Sequence, residues 1–345
     1  MPSHSNFSTP IQKNLKHHHF NVEFINSSPE HIKRIKLPLF ISAYSLIRKL
    51  FFADLDYKAQ AKQLLKYQII QKEIQTKLSD KNFDHVLVIR PDLFNRDQLQ
   101  LLKKSTKNYI GYQWNGLNRF PNTLSTINLF NRFFIFDNKD LFNSEYKEHA
   151  LLGTTNFYFD MYKPEPIPHQ GIIAYFVGLH FDERTKSIKI CAEALESHGI
   201  TLDFNIRLLH KNTSAENQYY SQNIKLIHKN IEFNENIQHI NKSDILVDIV
   251  NPIHNGLSFR TFEALYYEKK LITNNMTVTN YDFYHPNNIL VWDGLDISEL
   301  SEFLKKPFIK IDDGIKEKYS FHNWIKNILN IPPFQKIELP IFNID

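Results

Sequence analysis

The sequence predicts an α/β protein of two Rossmann-like domains facing across a cleft. Three observations lead there. Short apolar runs of strand length alternate with longer amphipathic runs of helix length. Pro164, Pro166 and Pro168 interrupt this alternation near the middle of the chain, and such a segment suits neither a helix interior nor a central strand. The alternation then restarts. A chain of 345 residues has room for two domains of ~100–200 residues each.

In the first domain, residues 1–165, the segment 20–25 reads as a strand. Segments 30–52 and 57–78 read as helices, the first interrupted near Pro38. The run HVLVI at 85–89 is continuously apolar after His85, as expected of a buried parallel strand. Segment 96–103 is helical, and 109–113 and 132–136 are strands. Met1 is followed directly by a loop-like and helix-like stretch, so the first strand of this domain is expected to be missing or the sheet edge to be formed differently.

In the second domain, residues 166–345, a strand at 172–177 runs into Gly178. A helix at 183–198 stops at Gly199, a C-cap glycine. Strands follow at 202–209, 245–249, 270–273 and 288–291, and helices at 259–268, 297–304 and 315–329. In sheets of this kind ligands bind at the carboxyl ends of the strands.

Composition narrows the function. A formal net charge of +4, with no zinc-finger, RNP or arginine-rich signature, gives no reason to expect nucleic acid. The lone Cys191 cannot form an internal disulfide, which fits a reducing cytoplasm; it reads as a small buried apolar side chain. Residues 1–15 are polar, without a secretory pattern, and the apolar run 37–47 is too short to cross a bilayer. A soluble or peripherally bound chain is expected. Lys33, Arg34, Lys36, Arg48 and Lys49 surround Leu37, Phe40, Ile41, Tyr44, Ile47 and Phe51. That pattern suits contact with an anionic inner leaflet, although a core helix with a charged solvent face is the commoner source of it. With 9 glycines against 28 Phe and 16 Tyr, a phosphate site must rest on one or two glycines and a helix N-terminus.

The densest chemical signal is DIVNPIHNGLSFRTFEALYYEKKLITNN, residues 248–275: strand, loop, helix, strand. A helix starting near Ser258 turns its positive end to the loop and suits a diphosphate. Gly256 allows close backbone approach. Arg260 reaches a phosphate oxygen, and Glu263, one turn on, accepts two ribose hydroxyls. The plainer alternative makes Ser258 an N-cap only and Arg260 with Glu263 a surface pair.

This segment resembles the donor-site motif of GT-B glycosyltransferases. It is especially similar to a bacterial lipopolysaccharide and capsule glycosyltransferase-like group related to the CgeB type. The matching residues are Asn251, Pro252, Gly256, Leu257, Ser258, Arg260, Glu263, Lys269, Lys270, Leu271, Ile272, Thr273 and Asn275, followed by 281–293, with a looser likeness over 83–140. The resemblance implies a GT-B fold and a metal-independent, cofactor-free transfer of sugar from a nucleotide-sugar donor. The acceptor would be a glycan or lipid-linked saccharide in bacterial surface-polysaccharide synthesis, in the cytoplasm or peripherally on the inner face of the membrane.

Gly178, His180, His254, Asn255, Gly256, Leu257, Ser258, Arg260, Glu263, Thr273 and Asn275 would bind the donor, with Arg184 as a further cation near the diphosphate. Arg90, Trp114, Asn115 and Arg119 would meet the acceptor, and Asp92, Asp137 or Asp140 would be its base. Large retaining GT-B families carry a second, sugar-facing glutamate eight residues before the ribose glutamate. Here that position is Asn255, which leaves the stereochemical outcome open. The single Asp-x-Asp, Asp54-Leu55-Asp56, and Asp80 read as helix caps. Two alternatives stand beside this reading: a glycerol- or ribitol-phosphate transferase using His254 and His180 on a cytidine diphosphate donor, and an inactive GT-B binding module.

Overall fold

A computed structural model describes residues 7–27, 36–79, 81–209, 218–219, 223–250 and 255–341. Its compact units are Met1–Phe134 and Ile135–Asp345. The fold is α/β with parallel sheets.

The first unit contains helices α1 (Ser8–His17), α2 (Leu39–Phe51), α3 (Tyr57–Leu78) and α4 (Arg96–Lys104). Strands β1 (Val86–Ile89), β2 (Tyr109–Gln113) and β3 (Arg132–Ile135) follow one another in its sheet; β4 (Leu151–Gly153), next in the strand order, falls by sequence within the second unit. β1 and β2 are parallel, with Val86 opposite Tyr109 and Ile89 opposite Tyr112. Ile70 and Ile74 of α3 and Leu99 and Leu102 of α4 pack on Val88 and Tyr109. The capping box expected of an Asn-x-x-Gln start fixes α4: Asn95 accepts from Gln98 N, and Gln98 Oε1 from Asn95 N.

Two expectations change here. Segment 20–25 is not a strand: Ile25 packs among the side chains around α3, and Asn26 N donates to Glu73 Oε1. Burial against a long helix gave it the apolar content of a strand. The helix expected over 30–52 is described from Leu39, after an extended Pro38; residues 30–35, and with them Lys33 and Arg34, lie outside the described residues, as does Asp80. Asp54 accepts from the backbone of Asp56 and Tyr57 at the start of α3, so it does cap.

In the second unit, strands β5 (Ile173–Leu179), β6 (Thr201–Arg207), β7 (Ile224–Ile227), β8 (Ile245–Asp248), β9 (Lys270–Thr273) and β10 (Ile289–Val291) form one sheet. Their spatial order is β10-β9-β8-β5-β6-β7, and the printed pairings are parallel. Numbered from β5, that is the 3-2-1-4-5-6 order of a dinucleotide-type Rossmann sheet. Among the described residues its helices are α5 (Asn138–Phe142), α6 (Asp182–Ser197), α7 (Phe233–Lys242), α8 (Phe259–Tyr266), α9 (Leu300–Lys305), α10 (Asp313–Lys318) and α11 (Phe321–Leu329).

Alternate residues of β5 enter opposite cores. Ala174 and Phe176 meet Ile188, Cys191 and Leu195 of α6, while Tyr175 meets Ile240 of α7 and Phe262 of α8. Cys191 is fully buried, and burial pushes its thiol up to about 12, the inert behaviour of a core cysteine. Gly199 turns the chain out of α6 at φ +72.

Segment 315–329 is two helices rather than one. Tyr158 N donates to Tyr319 O and Phe321 N to Tyr158 O, a strand-like bridge that breaks the helical run, and Ser320 then caps α11 through Asn323 N.

The proline segment lies against α7: Glu165 N donates to Asn241 Oδ1 and Ile167 N to Asn241 O. Beyond it, His169 Nδ1 faces Ile167 O at 3.0 Å and Nε2 faces Asp244 Oδ2 at 2.8 Å. Both ring nitrogens thus have acceptors, which favours the doubly protonated ring. The bond to Ile167 chiefly, then that to Asp244, raises the His169 pKa above its ordinary value against opposing burial and Lys269. Stability from this contact is complete below the unfolded pKa of ~6.5 and fades as pH rises through the raised folded pKa. An NMR titration should place the His169 midpoint above ~6.5, and Asp244→Asn should lower it. An unmoved midpoint would mean that the pair does not form.

Candidate functional site

The strand order reverses between β5 and β8, so the crevice for a ligand opens at their carboxyl ends. Arg184, in the first turn of α6, laces those ends together: Nη1 donates to Ile249 O at 3.1 Å and Nη2 to Leu179 O. Burial lowers its pKa. A Cβ at Gly178 would come within 2.7 Å of Arg184 Nη2, so the glycine leaves room for this guanidinium. His180, next in line, is held between Tyr219 Oη on Nδ1 at 2.9 Å and Asp182 on Nε2 at 3.2 Å.

From β8 to α8 the described chain is pinned at Val250, Asn255, Leu257 and Ser258. Val250 N donates to Asn274 Oδ1 at 2.8 Å. Asn255 N donates to Asp137 Oδ2 at 2.9 Å, while its carbonyl accepts from Asn275 Nδ2 at 3.1 Å and Thr277 Oγ1 at 3.2 Å. Leu257 O accepts from buried Asn156 Nδ2 at 2.8 Å. Ser258 Oγ donates to Asp248 Oδ2 at 2.9 Å and caps α8 by accepting from Arg260 N. Thr273 faces Asp248 across the β8–β9 register and accepts from Asn275 N through Oγ1. Gly256 is needed here for space: a Cβ would lie 2.5 Å from Phe136 Cε2 and 2.6 Å from Phe136 O. His254, with Asn251 and Pro252, lies outside the described residues.

Arg260 and Glu263 are not a surface pair. Their side chains are 11% and 10% exposed, and Arg260 Nη1 meets Glu263 Oε2 at 2.8 Å. The other carboxylate oxygen accepts from Asn236 Nδ2 at 3.1 Å. Tyr175 Oη donates to Asn236 Oδ1 at 2.9 Å, and the guanidinium lies 4.8 Å over the Tyr175 ring. Burial would lower the Arg260 pKa, but Glu263 and Tyr175 outweigh it, and the net shift is upward. One strand and two helices thus converge on a charged pair closed off from most solvent. Beneath it His239 of α7, held by Asp203, stacks on Tyr175 at 4.9 Å.

The three base candidates are all engaged. Asp92 takes a bidentate bond from Arg90, 2.6 Å to each oxygen, so the proposed acceptor cation and base pair with each other. Arg90 holds a left-handed φ of +65 ahead of Pro91, a sparsely populated conformation for a non-glycine residue, and stacks 4.2 Å over Phe120. Asp137 caps α5 through Lys139 N in addition to holding Asn255. Expected on the acceptor side, it lies in the second unit with the loop it anchors. Asp140 is buried on α5. Trp114 and Asn115 are half-buried, with Phe7 edge-on to Trp114 at 6.2 Å, and Arg119 is exposed.

Among the described residues no cluster of three or more His, Cys, Asp or Glu is gathered as for a metal ion. A cavity of about 390 Å³ beside β10 and α9, lined by Tyr284, Glu299, Glu302 and Phe303 among others, shares no residue with this loop.

Sequence reasoning missed Asn236, Tyr175, Asn156, Asp248, Asn274 and Thr277. One signal was present: Glu232 and Glu235 form a capping box that starts α7 and so locates Asn236.

No family model and no curated protein matches the chain. Among solved structures it is similar to the Glycosylation Associate Protein (Gap123) complex of Streptococcus agalactiae, at 14% identity over 76% of this chain and 56% of that one, with a TM-score of 0.45. The chain thus spans little more than half the length of that relative. It is also similar to alpha-glucosyltransferase (AGT) in complex with UDP, at 11% identity, 75% and 78% coverage and a TM-score of 0.44. A third similar structure is the UDP-GlcNAc 2-epimerase of Methanocaldococcus jannaschii, at 11% identity, 90% and 93% coverage and 0.46. The fold assignment rests on the strand order and pairing above.

Proposed function

We propose that this chain is a GT-B glycosyltransferase that moves a sugar from a nucleotide-sugar donor to a glycan or lipid-linked saccharide acceptor in bacterial surface-polysaccharide synthesis. The observation that carries the proposal is the pinned turn at the sheet's switch point. A strand end, Gly256, the Ser258-capped start of α8 and the buried Arg260–Glu263 pair follow in the order a nucleotide diphosphate requires. Helix end and arginine neutralise the leaving diphosphate without a metal, and Glu263 takes the ribose hydroxyls by exchanging its bond to Asn236 for them. The donor residues are those of the loop with Gly178 and His180, and His254 is kept with them by sequence. The acceptor residues are Arg90, Trp114, Asn115 and Arg119, and the base is one of Asp92, Asp137 and Asp140. The reaction takes place on the cytoplasmic side of the membrane, at the inner leaflet.

Thermal-shift measurement against UDP, GDP, CDP, ADP and dTDP sugars tests this. One nucleotide at a hundredfold excess over its Kd should stabilise the chain by about 2.7 kcal/mol, and turnover should persist in EDTA. Magnesium-reversible loss of activity would remove the metal-free part. A response confined to CDP with polyol-phosphate transfer would favour the phosphotransferase alternative, and binding without donor cleavage the inactive module.

A further inference from the structure

Helix α2 is amphipathic the wrong way round for a core helix. Leu39, Phe40 and Phe51 are 89%, 74% and 78% exposed, and Leu46, Ile47 and Leu50 are exposed beside them. At ~100° per residue these six share an arc of about 140°. The opposite side, where Ser45 is buried, faces α3: Tyr44 meets Tyr57 edge-on at 5.2 Å and Arg48 lies 5.1 Å over the Tyr57 ring. Ser45 and Arg48 thus face α3, with Ile41 half-buried beside them, while the apolar arc points outward, which overturns the expectation of a core helix with a charged solvent face. Contiguous exposed apolar surface of this kind marks an interaction site. At 13 residues and ~1.5 Å per residue, α2 is ~20 Å long, short of a ~30 Å hydrocarbon core. No helix among the described residues is long and apolar enough to cross a membrane.

Charge identifies the occupant. Between Glu30 and Asp54 the sequence has no carboxylate, while Lys33, Arg34 and Lys36 precede the helix and the exposed Lys49 closes it; Arg48 is paired with Asp54 at 2.9 Å. A second copy docked on this face would set two basic groups against each other. An anionic bilayer instead takes the apolar arc among its acyl chains and the cations among its headgroups.

We propose that α2 lies in the plane of an anionic lipid surface, with Leu39, Phe40, Leu50 and Phe51 inserted and Lys36 and Lys49 at the headgroups. This deepens, and rests on, the inner-leaflet element of the function proposed above.

Flotation of the full chain with vesicles of phosphatidylcholine alone, and of an equal mixture with phosphatidylglycerol, tests it. The chain should partition more strongly to the mixed vesicles. Phe40→Ser with Phe51→Ser should lower that partition at least about tenfold, and Lys36→Gln with Lys49→Gln by about five- to twentyfold, on the mixed vesicles alone. These exposed substitutions should leave the thermal midpoint and nucleotide response unchanged. Equal flotation of parent and phenylalanine variant, or none with either vesicle, overturns the proposal. So does a dimer that the phenylalanine substitutions dissociate with no lipid bound. Because nucleotide binding is scored on the same proteins, vesicle binding without any nucleotide response leaves the lipid contact standing while the donor site fails.

Discussion

Gly256→Ala should abolish nucleotide binding and destabilise the second unit by about 1–3 kcal/mol, the usual cost of forcing an extra methyl group into a packed site. The new Cβ would meet Phe136 Cε2 at 2.5 Å and Phe136 O at 2.6 Å. A ring can turn away, but a main-chain oxygen can move only with its strand end. Phe136 adjoins Asp137, whose carboxylate holds Asn255 N, so relieving the clash pulls the loop from its anchor. Phe136→Ala in the same chain should therefore recover only part of the stability and none of the binding, because the carbonyl remains. Denaturant titration and calorimetry on the single and double variants decide the matter. A Gly256→Ala protein that melts and binds like its parent would show that the close approach does not exist.

Glu263→Ala should cost about 3–5 kcal/mol of stability, because it leaves the Arg260 guanidinium charged, buried and without its counter-ion. Nucleotide binding should fail as well. Stability and recognition can be separated by removing both charges. Arg260→Met with Glu263→Leu fills similar volume and should regain most of the stability, as replaced buried pairs do elsewhere, yet still bind no nucleotide. If the double variant binds as the parent does, neither side chain touches the donor, and the pair only holds α8 to α7 and β5. If Glu263→Ala folds with undiminished stability, the pair is not closed off from water.

Much of the second unit is legible because its strands are short apolar runs; 270–273 and the start of α8 at Ser258 are placed to the residue. The miss over 224–242 has a physical cause. IKLI carries a lysine at an edge strand, and the Asn-rich NENIQHINK hides its Ile237 and Ile240 stripe among poor helix formers. That helix brings Asn236 to Glu263, so the element hardest to see completes the charged pair. Burial was equally hidden. Spacing made Arg260 and Glu263 neighbours but could not tell an exposed pair from one under a tyrosine ring, nor reveal that Asp92 is taken by Arg90. Gly256 and Gly178 were singled out as approaches for a ligand. Each also leaves room for a neighbouring group of the chain itself, Phe136 and Arg184, which no local pattern encodes.

Val250 and Asn255 are tied down by consecutive residues, Asn274 and Asn275. The described chain on either side, Val250 after β8 and Asn255 before α8, is thus hung from a single dipeptide at the end of β9. A single substitution there, Asn274→Ala or Asn275→Ala, would release one of the two posts without altering any residue of β8 or α8.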